Sequence, residues 1–493
     1  KDYFGKMQEK TDAQAKADEK FFAWTEENHA DKVYTAETEI TASVTLVPVY
    51  RADSNVIPGQ DGNTIAADNF SIRIEKVGSL TETEAKKLAN VKAYDKKGAD
   101  ITNTVTVDQD KLSALQQSTA GIHPDALTFE IPGSVKVSVT VEITDDNPVI
   151  TGKTAHTLTF KGRANETYEY QELDAQGTPT GNVLTILTNG DGKATITGLK
   201  KATPYQISHK KYGSVNGRTA LVDAKDIAKQ FEDRGAGDTT GNNATDRTEK
   251  AENSNVQVVV DDDGNYKVIV KKDIDHTVEI PDTWGEVKID LGGHTITGDK
   301  ADDNHAAKPG LDFVKDGSIN EHPGTKLEIV NGTIKGGDGS AKHPDGAPGI
   351  GASGDTADAG LIIGSNANVT GGNGADGTEG KDGGNGGAGI DGNGKITPTV
   401  NGTVTGGNGG KGGDSATGIP GNGGNGGTGI SAGDKTITIH PGGTVKGGDA
   451  GNGGNATGDN TNPGGNGGNG GTGTETTQPG KTDNNGGTTS GGN

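Results

Sequence analysis

The chain has 493 residues, no cysteine and a formal net charge of −22, which together exclude a disulfide scaffold, a thiolate zinc site and thiol catalysis, and oppose binding to nucleic acid or an anionic bilayer. Hydrophobic residues make up 29% and aromatics 4%, and none of the aromatics lies beyond Phe313. At this length more than one domain is expected, and with no aromatic-anchored core possible in the last third, any order there must come from backbone packing.

No apolar run approaches the roughly 18 residues a membrane-spanning helix needs, so no membrane insertion is expected. The chain opens on Lys1 rather than Met and ends TTSGGN without a signal peptide or anchor, as expected of a part of a longer polypeptide.

In chain order, 1–20 is charged with few apolar positions and predicts a short solvated helix. The alternation of Ile40, Val44, Leu46 and Val49 then predicts strand. Phe21, Trp24, Tyr34, Thr45, Leu46 and Tyr50 form a pattern that resembles the closing half of the internalin-type B repeat, a small β-grasp module of Gram-positive surface proteins, with Ala23 in place of the usual glycine. The first module is accordingly set at 1–50.

Over 51–148 strands alternate with two short helices (LTETEAKKLA, DQDKLSALQQ), and Val135, Val137, Val139 and Val141 carry the period-two signature of a half-buried strand. This order resembles the Ig-like modules of bacterial surface proteins. Over 149–222, Ile196, Gly198, Leu199, Thr203, Tyr205 and Ile207 resemble the end of a fibronectin type III domain, with Lys201 where that family commonly has proline. Both resemblances imply spacing and display. Residues 223–254 read as a helix (DAKDIAKQFED) followed by a polar linker.

From 255 to 475 the chain repeats. Ile296, Ile334, Val369, Val404 and Val445 recur at spacings of 38, 35, 35 and 41 residues, each followed two residues later by glycine. Short strand, tight turn, short strand and a long excursion is solenoid logic, in which stacking supplies the core that no repeat has alone. The first unit, VKIDLGGHTITG, resembles the opening rung of pectate-lyase-like right-handed β-helices.

The excursions carry glycine in phase with three, as in GGN GGK GGD from Gly406 and GGN GGT from Gly423. Three residues per turn is the polyproline II period, and two bare faces per turn allow close approach of neighbouring rods. Each excursion is expected to be an antiparallel pair of such rods, with Asn408, Lys411, Asp414, Asn425 and Thr428 on the outer face. The packing principle is similar to that of glycine-rich antifreeze proteins and phage tail-fibre adhesins. Residues 476–493 are expected to be a flexible tail.

The fold class expected is thus mainly β and multidomain, small β-sandwich or β-grasp modules followed by a β-solenoid with glycine-rich polyproline II excursions. No coherent active site emerges. Aligning the first two rungs on their anchors puts Asp290 above Glu328, the one carboxylate pair at glycosidase-like separation. Asp376 and Asp414 are the candidate calcium ligands, in partial matches to the nonapeptide calcium repeat; no other cofactor or metal is expected. The Asp261–Asp262–Asp263–Gly264 run reads as a hairpin turn, His294 as a turn-stabilising imidazole, and Trp24 and Trp284 as core anchors.

The function expected is a non-enzymatic adhesin or stalk, extracellular and attached to a Gram-positive cell wall through a part of the chain not present here. Its partner would be a host or cell-surface glycan or protein, met at excursion tips through His343, Asp345, Thr417, Asn422, Asp459 and Asn460. A carbohydrate-active β-helix enzyme and a phage tail-fibre adhesin are the alternatives.

Overall fold

The computed structural model describes residues 19–52, 54–241 and 248–493, and it is mainly β. Nearly all of the segment expected as a helix at 1–20, and part of the expected linker, lie outside the described residues. The chain divides into two compact units: Lys1–Pro148 with short pieces at 167–169 and 207–215, and the rest from Val149 onward.

In the first unit Glu19–Glu26 lies between His29–Tyr34 and Leu46–Ala52 in an antiparallel sheet. A second sheet is built on Lys136–Thr144. Its valines at 137, 139 and 141 share one face by strand alternation, and all are buried with Leu127 and Phe129 of the antiparallel neighbour Gly121–Glu130. Two short helices cover that core. Glu82–Leu88 starts at a reciprocal Thr81/Glu84 capping box, and Gln109–Gln116 starts where Asp108 accepts the amides of Asp110 and Lys111.

The second unit opens with the antiparallel strands Val149–Lys153, Leu158–Lys161 and Lys193–Ile196. Helix Ala224–Lys229 follows, capped by Asp223 and Asp226. Ala224, Ile227 and Phe231 are fully buried in one core with Trp284, the two rings stacked 6.2 Å apart. This aromatic plug covers the start of the stacked coil, as terminal elements of solenoids do.

Three columns of strands then build a β-solenoid. Sheet one has ten strands: Thr240–Gly241, Ala251–Glu252, Val256–Val260 and Tyr266–Val270 pair antiparallel, and from Gly285–Asp290 onward every addition is parallel. Sheets two and three have six strands each, starting at Val278–Pro281 and Thr295–Thr297. The anchors Ile296, Ile334, Val369, Val404 and Val445 stand in register in sheet three, all fully buried. Each such burial stabilises by about 1.5–3 kcal/mol, so aliphatic columns replace the missing aromatics.

Two boundaries differ from expectation. The linker contributes Thr240–Gly241 and Ala251–Glu252 to sheet one. Residues 476–493 add another rung, Thr482–Asn484 and Thr488–Ser490, with Thr482 above Ile437 and Thr489 above Val445. Threonine is β-branched, so it continues a strand ladder after the aliphatic column has ended.

The excursions leave sheet three and return to sheet two as layered rods, and the three positions of a triplet direct their amides to three kinds of partner. First glycines donate to the rung above: Gly406, Gly409 and Gly412 to the carbonyls of Lys446, Asp449 and Asn452 at 2.9, 2.9 and 2.8 Å. Second glycines donate across to an antiparallel rod: Gly407, Gly410 and Gly413 to Gly387, Gly384 and Lys381 at 2.7, 2.8 and 2.8 Å. Third-position amides donate to a side chain of the rung below. In one column Asn373, Asn408, Asp449 and Asn493 bond to Oδ1 of Asp338, Asn373, Asn408 and Asp449 at 2.8, 2.9, 2.9 and 2.9 Å.

The returning rods repeat the device through Asp345, Asn385, Asn425 and Asn469, and through Asp382, Asn422 and Asn466. Lys411 offers no such acceptor to the amide above it; its ammonium bonds Asp414 instead, at 3.0 Å.

Both glycines of a triplet face foreign backbone. A Cβ on Gly409 would lie 2.1 Å from Gly424 O, and one on Gly410 2.0 Å from Ala375 O. On Gly467 the nearest atom would be 3.8 Å away. Gly410→Ala is therefore expected to destabilise the solenoid by about 3 kcal/mol or more, whereas Gly467→Ala stays within about 0.5 kcal/mol. Thermal unfolding of the two variants measures the contrast, and equal losses would contradict the lattice.

Candidate functional site

A concavity lies on the outer face of sheet one, where adjoining hollows of about 470 and 560 Å³ share Glu286, Lys326, Gly360 and Thr397. Strand alternation explains the floor: with Val287, Ile289, Leu327 and Ile329 turned inward, Glu286, Lys288, Lys326 and Glu328 must face out. Gly360, in register between Lys326 and Thr397, supplies no side chain and leaves the depression. One wall is the hairpin at Asp261–Asn265. There Asp261 Oδ1 accepts the amides of Asp263 and Asn265 at 2.9 Å each, while Gly264 takes φ +90°, so the acidic run is a turn.

Charges in the groove are mostly neutralised in place: Lys326–Glu286 at 3.1 Å, Lys288–Glu328 at 3.3 Å and Lys435–Asp358 at 2.6 Å. Arg218 grips Glu321 with both terminal guanidinium nitrogens, one contact at 3.0 Å. Ile362, 42% exposed, is the apolar part of the floor.

The register corrects the proposed carboxylate pair. Glu328 stands beside Lys288, and Asp290 beside Val330. Asp290 is held by Lys267 at 2.9 Å, Asn331 Nδ2 at 3.0 Å and the Gly292 amide at 3.1 Å. Despite partial burial those bonds hold its carboxyl below the usual range. Asp290 and Glu328 are thus engaged separately with lysines and do not form a dyad.

A carboxylate pair that is in register occurs on sheet two, where Glu279 neighbours Asp312. Burial, reinforced by the Glu279 charge, pushes Asp312 up to about 6. Neither residue lines the groove.

Asp376 and Asp414 serve the lattice, accepting the amides of Lys411 and Asn455 at 2.7 and 2.8 Å. Among the described residues no group of three or more His, Asp or Glu side chains is arranged to hold a metal. Of the tip residues, Asp345 and Asn422 are ladder acceptors, and Asn460 Nδ2 ties the carbonyls of Ser415 and Gly418 at 2.8 Å each. Thr417 and Asp459 are exposed and His343 is half-buried. Ile419, 72% exposed on a tip, is an apolar residue that the sequence pattern did not single out; its only signal is an isolated isoleucine in the turn GIPGN. His294 flanks a rung turn, 3.4 Å from Asp273, and Trp24 and Trp284 are buried.

A buried polar cluster was also not foreseen. His156 bridges Leu199 O at 2.8 Å and Asp223 at 3.0 Å, and Lys201 reaches the same carboxylate at 3.1 Å. Beside it Tyr266 Oη lies 2.6 Å from Glu249, whose carboxyl is raised by burial. The members come from five separate stretches of chain, with no spacing that marks them in sequence.

No protein-family model matches this chain, and no curated protein is similar to it in sequence.

Asp312 binds its proton more tightly when folded than when unfolded, so its contribution to stability falls as pH rises from 3.8 toward about 6. Asp312→Asn is expected to melt higher than wild type at about pH 7–8, above the shifted value, and to match it at about pH 4. A gain independent of pH would show that the burial argument is wrong.

Proposed function

We propose that this chain is a non-enzymatic segment of a modular Gram-positive surface protein, an adhesin or stalk. It stands outside the cell and is attached to the wall through another part of the polypeptide. The observation that carries this reading is the excursion lattice: Asn and Asp side chains at its third positions are engaged in bonding backbone, which suits a rigid spacer. The B-repeat-like, Ig-like and fibronectin type III-like segments before it support the same assignment. A glycan or protein on a host or neighbouring cell would be met at the exposed tips, around Thr417, Ile419 and Asp459.

Hydrogen exchange tests the spacer. Amides of 406–413 and 421–427 are expected to exchange at least about a thousandfold slower than in the denatured peptide, and exchange at the denatured rate would remove the basis of the proposal.

A second reading, a carbohydrate-active β-helix, is favoured by one observation: Glu328 lines the groove. Polysaccharide incubated with wild type and with Glu328→Gln separates the two. No cleavage by either is expected; turnover abolished by the substitution would establish the enzyme instead.

A further inference from the structure

Strand Pro179–Leu187 is the edge of a four-stranded sheet, beside Thr167–Leu173. All but one of its residues are exposed, with Val183, Leu184 and Leu187 at 52, 51 and 64%. A run such as Val-Leu-Thr-Ile-Leu ordinarily belongs to a strand covered on both faces, yet here both faces are open. Over the apolar run the usual protections of an edge are missing too: it has no lysine or inward charge, its one proline stands at the strand's first position, and the left-handed Gly181 (φ +71°) lies before Val183.

The surroundings identify the occupant. In a chain that is 23% charged, the sixteen residues from Ala175 to Gly190 carry no charge at all. Two copies of a molecule of net charge −22 repel, and this neutral strand is where they can approach without stacking like charges. The nearby Glu172 is neutralised by Lys200 at 2.8 Å.

Backbone geometry agrees. Thr188 N donates to Glu166 O at 3.0 Å, so by strand alternation the amides and carbonyls of Leu187, Thr185 and Val183 point away from the sheet. An antiparallel pair centred on Thr185 sets Thr185 against its own copy, Val183 against Leu187 and Leu184 against Ile186. Apolar meets apolar and hydroxyl meets hydroxyl, each pair contributing about 0.2–1 kcal/mol.

We infer that Pro179–Leu187 is a self-association edge through which two copies of this chain join their sheets in antiparallel register about Thr185. The inference stands apart from the proposed surface role.

Sedimentation of the full chain over a concentration series tests it. Wild type is expected to dimerise with Kd in the tens of micromolar, roughly the range for a small interface. Thr185→Pro removes the central outward amide, and Val183→Lys sets two cations against the Leu187 positions; each should weaken the dimer at least about tenfold. Because the chain has no cysteine, Thr185→Cys can form a disulfide only with another copy, at a Cα separation of about 5.5 Å. It should oxidise to covalent dimer far faster than Thr417→Cys. A wild type monomeric throughout, a dimer that survives both variants, or equal oxidation of the two cysteines would each overturn the inference.

Discussion

A polyproline II rod makes no hydrogen bond to itself, so every amide it carries must find a partner outside the rod or stay in water. The excursions meet that demand in three directions at once: upward to the next rung, across to an antiparallel rod, and downward to an Asn or Asp oxygen. The requirement dictates composition. Two of three positions must be glycine because a Cβ would sit about 2 Å from a carbonyl oxygen, as at Gly409 and Gly410. The third must carry a short acceptor, which is why Asn and Asp dominate it.

Glycine loses more backbone entropy on ordering than any other residue, and the lattice cannot repay that loss alone. The β column supplies the template. Ile296, Ile334, Val369, Val404 and Val445 hold successive rungs in parallel register, so each rod begins already placed above its predecessor. Once the first triplet is seated, each further one adds three bonds in a repeating frame. The tips stay ordered for the same reason: Ser415 pairs with Ala456, and Asn460 bonds back to the turn below.

Charge is distributed to suit the stacking. In the column Asp338, Asn373, Asn408, Asp449, Asn493 no two carboxylates are adjacent, and the same is true of Asp345, Asn385, Asn425, Asn469 and of Asp382, Asn422, Asn466. Neutral asparagine keeps the acceptor without the repulsion that two charges one rung apart would feel. Where acids do stack, at Glu279 and Asp312, burial together with the neighbouring charge pushes the Asp312 carboxyl up to about 6.

Sequence periodicity by itself determined the anchors, the triplet phase and the mainly β class, because strand alternation and three-residue turns are local properties that repetition makes visible. It misplaced Asp290 by two positions. Ile289 to Ile296 spans seven residues and the in-register Ile329 to Ile334 only five (296 − 289 against 334 − 329), and the excess is a wider turn in which Gly292 and Gly293 take φ +58° and +89°. Turn length sets register, and that was settled only by the assembled coil. The groove, the His156–Asp223 and Tyr266–Glu249 bonds and the open edge at Pro179–Leu187 likewise belong to tertiary structure. Each depends on residues distant in sequence, and on which strand ends a sheet, which no local pattern encodes.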